Sequence, residues 1–217
     1  MLRAPDRSGA LVTVTDPIAA LIDVGREFYG RGWMLGTAGN LSVRTGDDPL
    51  RYTVTASGGH KGRLQPHDFV TFGLGMSEPS SDRKPSAETV VHDRLYATRA
   101  PGAILHVHSP YAVLAGRHLV EDGAVDLTGW EYVKGLGFWD EGAVVRAPVV
   151  PNHHGLVELG DAVAEAASDV PCVLVDGHGV YAWGDTVHAA QRHVECLEAL
   201  CQLVWESAIF AGATRSR

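Results

Sequence analysis

The chain has 217 residues, of which 45% are hydrophobic and 20% are charged, and its formal net charge is −8. These values are ordinary for a soluble globular protein and suggest one domain. The acidic balance gives no electrostatic support for binding nucleic acid, so we expect no nucleic-acid partner.

The cysteines and the N-terminus predict a reduced, cytoplasmic protein. Cys172, Cys196 and Cys201 include no C-x-x-C pair, and their odd number argues against a disulfide framework. Arg3 and Arg7 are followed by no apolar stretch like that of a secretory signal. No window approaches the ~18 consecutive apolar residues of a membrane span, so we also expect no membrane partner.

The chain is predicted to begin with a flexible leader over residues 1–15, followed by a single domain over residues 16–217. Asp16 followed by Pro17 is typical of a helix start, because aspartate caps the first N–H groups and proline fits the first helical position. The apolar spacing that follows predicts a helix that ends near Gly30.

Strand and helix signals alternate through the middle of the chain. The β-rich stretches NLSVR and RYTVTAS predict a hairpin. A helix is predicted from Ser86 through Tyr96, and the stretch GAILHVH after it predicts a short strand.

The C-terminal half continues the alternation. AVVRAPVV predicts a strand, LVELGDAVAEAA a helix, and PCVLVDGHGVYAWG two strands with a break between them. Residues 186–210 have apolar side chains every three or four positions, which predicts one long helix. Together these elements predict an α/β fold in which helices cover both sides of a mixed sheet.

Two histidines in the strand GAILHVH are candidates for a metal site. His106 and His108 are two residues apart, so in a strand their side chains project from the same face. A catalytic zinc site needs three protein ligands, and His178, between two glycines, could supply the third. The alternative is that these histidines only pack in the sheet.

Glycine-bearing loops suggest a site for an anion. GTAGNLS and TASGGHKGR are rich in small residues whose backbone N–H groups can surround a phosphate, and Lys61 adds positive charge. Ser86 lies where a helix is predicted to begin, and helix N-termini favour phosphate. The alternative is that the glycines close turns and the serine caps a helix.

Two carboxylates are candidates for proton transfer. Glu88 lies at the predicted start of a helix, where it could instead complement the helix dipole. Glu131 has aromatic and apolar neighbours that could partly desolvate it and suit it to acid–base chemistry. Alternatively, Glu131 is a surface residue that pairs with Lys134.

Five stretches of the chain, in this order, resemble the class II aldolase and adducin-like family: GTAGNLSVR, TASGGHKGRL, KPSAET, ILHVHS and GHGVYAWG. The resemblance covers about residues 17 to 205. The stretch WEYVKGL is similar to sugar-phosphate dehydratases of the family, which have a catalytic glutamate at this point. The family's fold is a three-layer α/β/α arrangement around a mixed, largely antiparallel sheet.

The resemblance also implies residue roles. One Zn²⁺ per subunit would be held by His106, His108 and His178. Glu131 would be the main catalytic residue, whereas Glu88 falls where the aldolases keep their acid/base and some dehydratases have a cysteine. The phosphate of the substrate would contact Asn40, Ser57, Gly58 and Ser86. Lys61 is added to this set because of its positive charge.

The implied activity is zinc-dependent dehydration of a 2-ketose 1-phosphate that carries a methylthio group, by a homotetramer with active sites at its subunit interfaces. Trp130, Tyr132, Phe138 and Trp139 could form the apolar pocket, or could be core or subunit contacts. One alternative function is aldol cleavage of a short sugar phosphate. Another is a catalytically silent assembly module, which the full histidine set disfavours.

Overall fold

A computed structural model describes residues 16–75 and 82–215. The predicted leader at residues 1–15 lies outside the described residues. The strands are β1 Asn40–Asp47, β2 Leu50–Thr55, β3 Phe69–Gly73, β4 Ala103–Val107, β5 Ala124–Asp126, β6 Arg146–Val150, β7 Cys172–Val175 and β8 Gly179–Gly184. The α-helices are α1 Pro17–Gly30, α2 Thr89–Arg99, α3 Pro110–His118, α4 Leu156–Ala166 and α5 Val187–Arg215. Short 3-10 helices span Lys61–Arg63, Pro66–Asp68 and Glu131–Leu136.

The strands form one sheet in the order β3-β2-β1-β4-β8-β7-β6-β5. The neighbouring strands pair antiparallel except β6 and β7, which pair parallel. The predicted α/β fold with a mixed, largely antiparallel sheet is therefore confirmed. In the described part of the chain, no helix is both long enough and apolar enough to cross a membrane.

Two hydrophobic cores lie on opposite faces of the sheet, which makes three layers. The first core contains buried residues of α1, α3 and α5, and the second contains buried residues of α2 and α4. Strand β4 shows the alternation: Ala103, Leu105 and Val107 belong to the first core, whereas Ile104 belongs to the second. His106 is therefore on the face of the sheet that α2 and α4 cover.

Helix α2 begins later than the sequence predicts. The backbone of Ser57 donates to the carbonyl of Lys84 at 2.9 Å, and that of Ser86 donates to the carbonyl of Thr55 at 3.3 Å. These bonds hold the chain before the helix extended against the end of β2. Ser86 consequently precedes the helix, and α2 starts at Thr89.

Strands β3 and β5 are two elements that the sequence patterns did not reveal, and they form the two edges of the sheet. β5 has only three residues, which is too few to display a clear period. The hairpin, the helix after Asp16 and the long C-terminal helix agree with their predictions.

A buried carboxylate from α5 fixes the start of α3, the helix that follows the histidine strand. Glu198 is 6% exposed, and its two oxygens accept the backbone N–H groups of Tyr111 and Ala112 at 2.9 Å each. The first N–H groups of a helix have no partner within it, so this side chain satisfies two of them.

We expect Glu198→Gln to lower the free energy of unfolding by about 1–3 kcal/mol, because the amide can no longer accept from both buried N–H groups. Glu195→Gln is the matched control, since Glu195 lies on the same helix and forms a partly exposed ion pair with Arg31. Its effect should stay within about 0.5 kcal/mol. Denaturant unfolding of both variants measures the difference, and equal losses would contradict this role for Glu198.

Candidate metal centre and anion cavity

Strand pairing brings the three candidate histidines to one end of the sheet. β4 and β8 are antiparallel and pair His106 with Tyr181, so the turn before β8 returns to the end of β4. Gly179 allows a close approach there, because a Cβ at this position would lie 2.3 Å from the carbonyl oxygen of Val107. The turn that carries His178 therefore lies directly against the end of the histidine strand.

The predicted convergence of the three histidines is confirmed. His106, His108 and His178 each offer one ligand atom, and these atoms lie within 4.8 Å of one another. The ring centroids are 4.9 Å apart for His106 and His108, 5.0 Å for His106 and His178, and 4.6 Å for His108 and His178. His106 is fully buried and the other two are half-buried.

The chemistry of these rings fits a divalent cation. The Nδ1 of His106 lies 3.0 Å from the carbonyl oxygen of Val180, so Nδ1–H donates to it and the lone pair of Nε2 faces the centre. The Nε2 atoms of His106 and His108 are only 3.1 Å apart. The Nδ1 of His178 is buried and has no hydrogen-bond partner among the described residues. Three imidazole nitrogens that leave one position open are a suitable donor set for zinc.

Burial keeps the rings of His106 and His108 uncharged, which a metal ligand requires. Desolvation, together with the neighbouring His108 and His178, holds the pKa of His106 well below its usual value. Desolvation, with His178 as the next cause, lowers the pKa of His108 to about 4. At neutral pH these two rings therefore present lone pairs.

Glu88 points into the histidine centre rather than capping its helix. It precedes α2 but makes no capping hydrogen bond with its side chain. Its Oε2 lies 3.2 Å from Nε2 of His106 and its Oε1 lies 3.4 Å from Nε2 of His178. The amide of Asn40 donates to Oε2 at 2.7 Å. The helix-dipole alternative therefore does not describe what this carboxylate contacts.

The five residues predicted to bind phosphate line one cavity of about 270 Å³, beside the metal centre. Glu88 and His108 line the same cavity, which joins it to the histidine centre. The predicted phosphate contacts that the fold brings together are Asn40, Ser57, Gly58, Lys61 and Ser86.

Lys61 connects the two glycine-bearing loops. Its side chain is 2% exposed, and its ammonium donates to the carbonyl oxygens of Thr37 and Gly59 at 3.0 Å each. Desolvation lowers its pKa, and the acidic groups of Asp68 and Glu88 oppose that shift. Lys61 thus holds both loops at the cavity while placing a positive charge beneath it.

Glu131 lies outside the cavity beside the histidine centre. It begins the short helix Glu131–Leu136, its side chain is 81% exposed, and Lys134 donates to its Oε1 at 2.6 Å. It lines a separate cavity of about 450 Å³, together with Trp130, Phe138 and Trp139. Of the two alternatives for Glu131, the single chain therefore shows the surface pair with Lys134, and partial desolvation is wrong there.

His92 is a site residue that the sequence patterns did not reveal. It is fully buried in α2, where its Nε2 contacts the Oδ1 of Asn40 and its Nδ1 lies 2.6 Å from the hydroxyl of Ser42. A signal was present, since His92 follows Glu88 by four residues and so lies on the same helix face.

Comparisons with known proteins support a common family. The family model described as the class II aldolase and adducin N-terminal domain matches residues 19–205. The methylthioribulose-1-phosphate dehydratase of Sulfurihydrogenibium sp. is 36% identical over 198 residues, which cover 90% of this chain and 92% of that protein. The L-fuculose-1-phosphate aldolase of Thermus thermophilus has a similar structure, with a TM-score of 0.75 and 28% identity over 90% of this chain and 96% of that one.

A longer relative contains the same region. A probable bifunctional methylthioribose-1-phosphate isomerase/methylthioribulose-1-phosphate dehydratase of Nocardia farcinica is 41% identical over 198 residues. The match covers 87% of this chain but only 35% of that protein, so the chain spans about a third of that relative's length.

We expect His106→Ala to lose most of the bound divalent metal, because two imidazoles remain where three are needed. His188→Ala is the control, since His188 is an exposed histidine on α5. Elemental analysis of both purified variants measures the metal content. Full occupancy in His106→Ala would exclude the three-histidine centre as the metal site.

Proposed function

The chain belongs to the class II aldolase and adducin N-terminal domain family, and we propose that it dehydrates 5-methylthioribulose 1-phosphate to 2,3-diketo-5-methylthiopentyl 1-phosphate. This makes it a hydro-lyase of methionine salvage that acts in the cytoplasm. The observation that carries the proposal is the three-histidine centre beside a cavity lined by Lys61 and the glycine loops. The dehydratases that cover most of the chain support the choice of reaction.

Two groups of residues are assigned to different ends of the substrate. We assign one Zn²⁺ per chain to His106, His108 and His178. When bound, the cation supplies Lewis acidity, which polarises the carbonyl and makes the neighbouring carbon-3 proton more acidic. The phosphate end is assigned to the cavity residues Asn40, Ser57, Gly58, Lys61 and Ser86.

We assign the proton transfers chiefly to Glu131. Its carboxylate would take the proton from carbon 3 and deliver it to the hydroxyl that leaves carbon 4 as water. The resulting enol then tautomerises to the 2,3-diketone, which keeps every carbon of the substrate. Glu88 would act from the other side, where it already contacts His106 and His178.

A second copy of the chain would have to bring Glu131 to this site. Glu131 is exposed and lines a different cavity from that of Glu88. Its neighbours Tyr132 and Trp139 are 54% and 72% exposed. Large apolar side chains exposed side by side are typical of a surface that binds another protein chain. We therefore propose a homotetramer in which the histidines of one subunit face Glu131 of the next.

Aldol cleavage of a short sugar phosphate is the second candidate. Glu88 beside the histidines favours it, since an aldolase needs a base at the hydroxyl of carbon 4 rather than at carbon 3. The structural similarity to an L-fuculose-1-phosphate aldolase supports the same alternative. The metal centre serves both reactions equally, so only the products separate them.

Purified, metal-analysed protein should convert 5-methylthioribulose 1-phosphate into a single product that has lost one water. Mass spectrometry of the reaction identifies this diketone, and His106→Ala provides the matched inactive control. Two carbon fragments would instead identify an aldolase. An unchanged substrate with a fully loaded metal site would refute the proposed activity.

Glu131→Gln should lower kcat by ~10²-fold or more while the metal stays bound, because the amide cannot carry the proton. Glu141→Gln is the control: it removes another exposed carboxylate of the same segment and should leave kcat unchanged. Near-normal dehydration by Glu131→Gln would remove this residue from the role.

Coexpression of His106→Ala and Glu131→Gln chains tests which subunit supplies the glutamate. If Glu131 acts across a boundary, a mixed oligomer contains sites with intact histidines from one chain and an intact Glu131 from the other. Such mixtures should regain activity that neither variant has alone. Inactive mixtures would place Glu131 and the histidines of each site in the same chain.

A further inference from the structure

A chain of buried polar side chains leads from the metal centre into the second core. Glu88, directly before α2, and His92 and Tyr96 within α2 are spaced by four residues, which places them on one side of the helix. On β1, Asn40 and Ser42 are two residues apart and share one face of the strand. The two sets interleave in the order Glu88, Asn40, His92, Ser42, Tyr96.

Neighbouring members of this chain of five polar side chains contact one another directly. Asn40 Nδ2 lies 2.7 Å from Glu88 Oε2, and Asn40 Oδ1 contacts His92 Nε2. His92 Nδ1 lies 2.6 Å from Ser42 Oγ, which lies 2.9 Å from the hydroxyl of Tyr96. Ser42, His92 and Tyr96 are all at most 1% exposed, so water offers them no alternative partners.

One direction of donation satisfies every member when Glu88 is ionised. A carboxylate only accepts, so Asn40 must turn its NH₂ group toward Glu88 and its carbonyl oxygen toward His92. His92 must then carry its proton on Nε2 and accept at Nδ1. Ser42 must donate to that nitrogen, and Tyr96 must donate to Ser42.

Asn40 also faces the anion cavity, so its orientation matters twice. Its NH₂ group has two hydrogens, and Glu88 takes one, which leaves the other for an anionic ligand. The reversed amide would present a carbonyl oxygen to both the carboxylate and the anion, which is unfavourable in a buried site. The two orientations are otherwise similar in shape, so a partner behind the amide must select one.

We infer that His92 is a positioning residue whose Nε2 proton fixes the amide of Asn40 in the orientation that serves both Glu88 and the bound anion. Burial supports an uncharged ring, because desolvation lowers the pKa of His92 to about 4. A neutral imidazole has one proton to place; the carbonyl oxygen of Asn40 accepts it at Nε2, and the hydroxyl of Ser42 can donate to the free Nδ1. The kinetic consequences rest on the proposed function, whereas the proton position does not.

Neutron diffraction from deuterated crystals of the unsubstituted protein tests the proton position directly. We expect a deuteron on Nε2 of His92, a deuteron of Ser42 directed at Nδ1, and the ND₂ group of Asn40 directed at Glu88. A deuteron on Nδ1 of His92, or an oxygen of Asn40 facing Glu88, would overturn the inference. This result does not depend on which reaction the protein catalyses.

Two substitutions of similar size test the function of the proton. His92→Gln keeps an N–H donor near the position of Nε2, whereas His92→Met fills the space without one. We expect kcat/KM for dehydration to fall about tenfold or more in His92→Met, with KM raised, and within about threefold in His92→Gln.

The change in KM separates positioning from stability. A variant that merely folds less well loses active protein, which lowers the apparent kcat and leaves KM unchanged. Equal KM values for both variants and the unsubstituted protein would therefore contradict the inference. If His92→Met does not fold, the proton position still decides the matter. If the unsubstituted protein performs no dehydration, the proposed function fails while the neutron result stands.

Discussion

The site depends on three imidazoles that must stay uncharged while they lie within a few ångströms of one another. The Nε2 atoms of His106 and His108 are 3.1 Å apart, a separation at which two protonated rings would repel strongly. Burial disfavours the charged form, and the carbonyl of Val180 occupies the other nitrogen of His106. The result is a set of nitrogen lone pairs directed at one point. One divalent cation can bind all of these lone pairs at once, whereas one proton cannot.

The central position of β4 in the sheet explains how the three histidines are held close together. β4 pairs with β1 on one side and β8 on the other, so the backbone of His106 is held by both neighbours. The pairing with β1 places Asn40 opposite His106, and the pairing with β8 brings the turn that carries His178. The candidate metal ligands and the residues that line the anion cavity thus share one end of the sheet, because adjacent strands carry them.

Much of this could be predicted from local patterns, and the rest needed the fold. His106 and His108 were predictable as a pair, because a period of two fixes their common face. The spacing of four residues between Glu88 and His92 also predicts that they share a helix face. Which side chains they contact depends on the strand that packs against α2, and the sequence does not give this. For Glu131 the sequence left two alternatives open, and the structure shows the pair with Lys134, with the side chain of Glu131 81% exposed despite its apolar neighbours in sequence. Sequence proximity to aromatic residues does not establish burial, which is decided by what packs over them.

The contrast between the two carboxylates bears on how the site divides its chemistry. Oε2 of Glu88 accepts from the amide of Asn40, and each oxygen lies within 3.4 Å of a histidine nitrogen, so this carboxylate is held beside the histidine centre. A base that takes up a proton in each turnover needs a lone pair that is free to reach the substrate, and one oxygen of Glu88 is already occupied by Asn40. Glu131 has Lys134 as its partner and remains otherwise accessible within its own chain. In the proposed mechanism, Glu88 therefore orders the centre and Glu131 moves the proton. In that mechanism the division would require two copies of the chain, because Glu88 and Glu131 line different cavities of the same subunit.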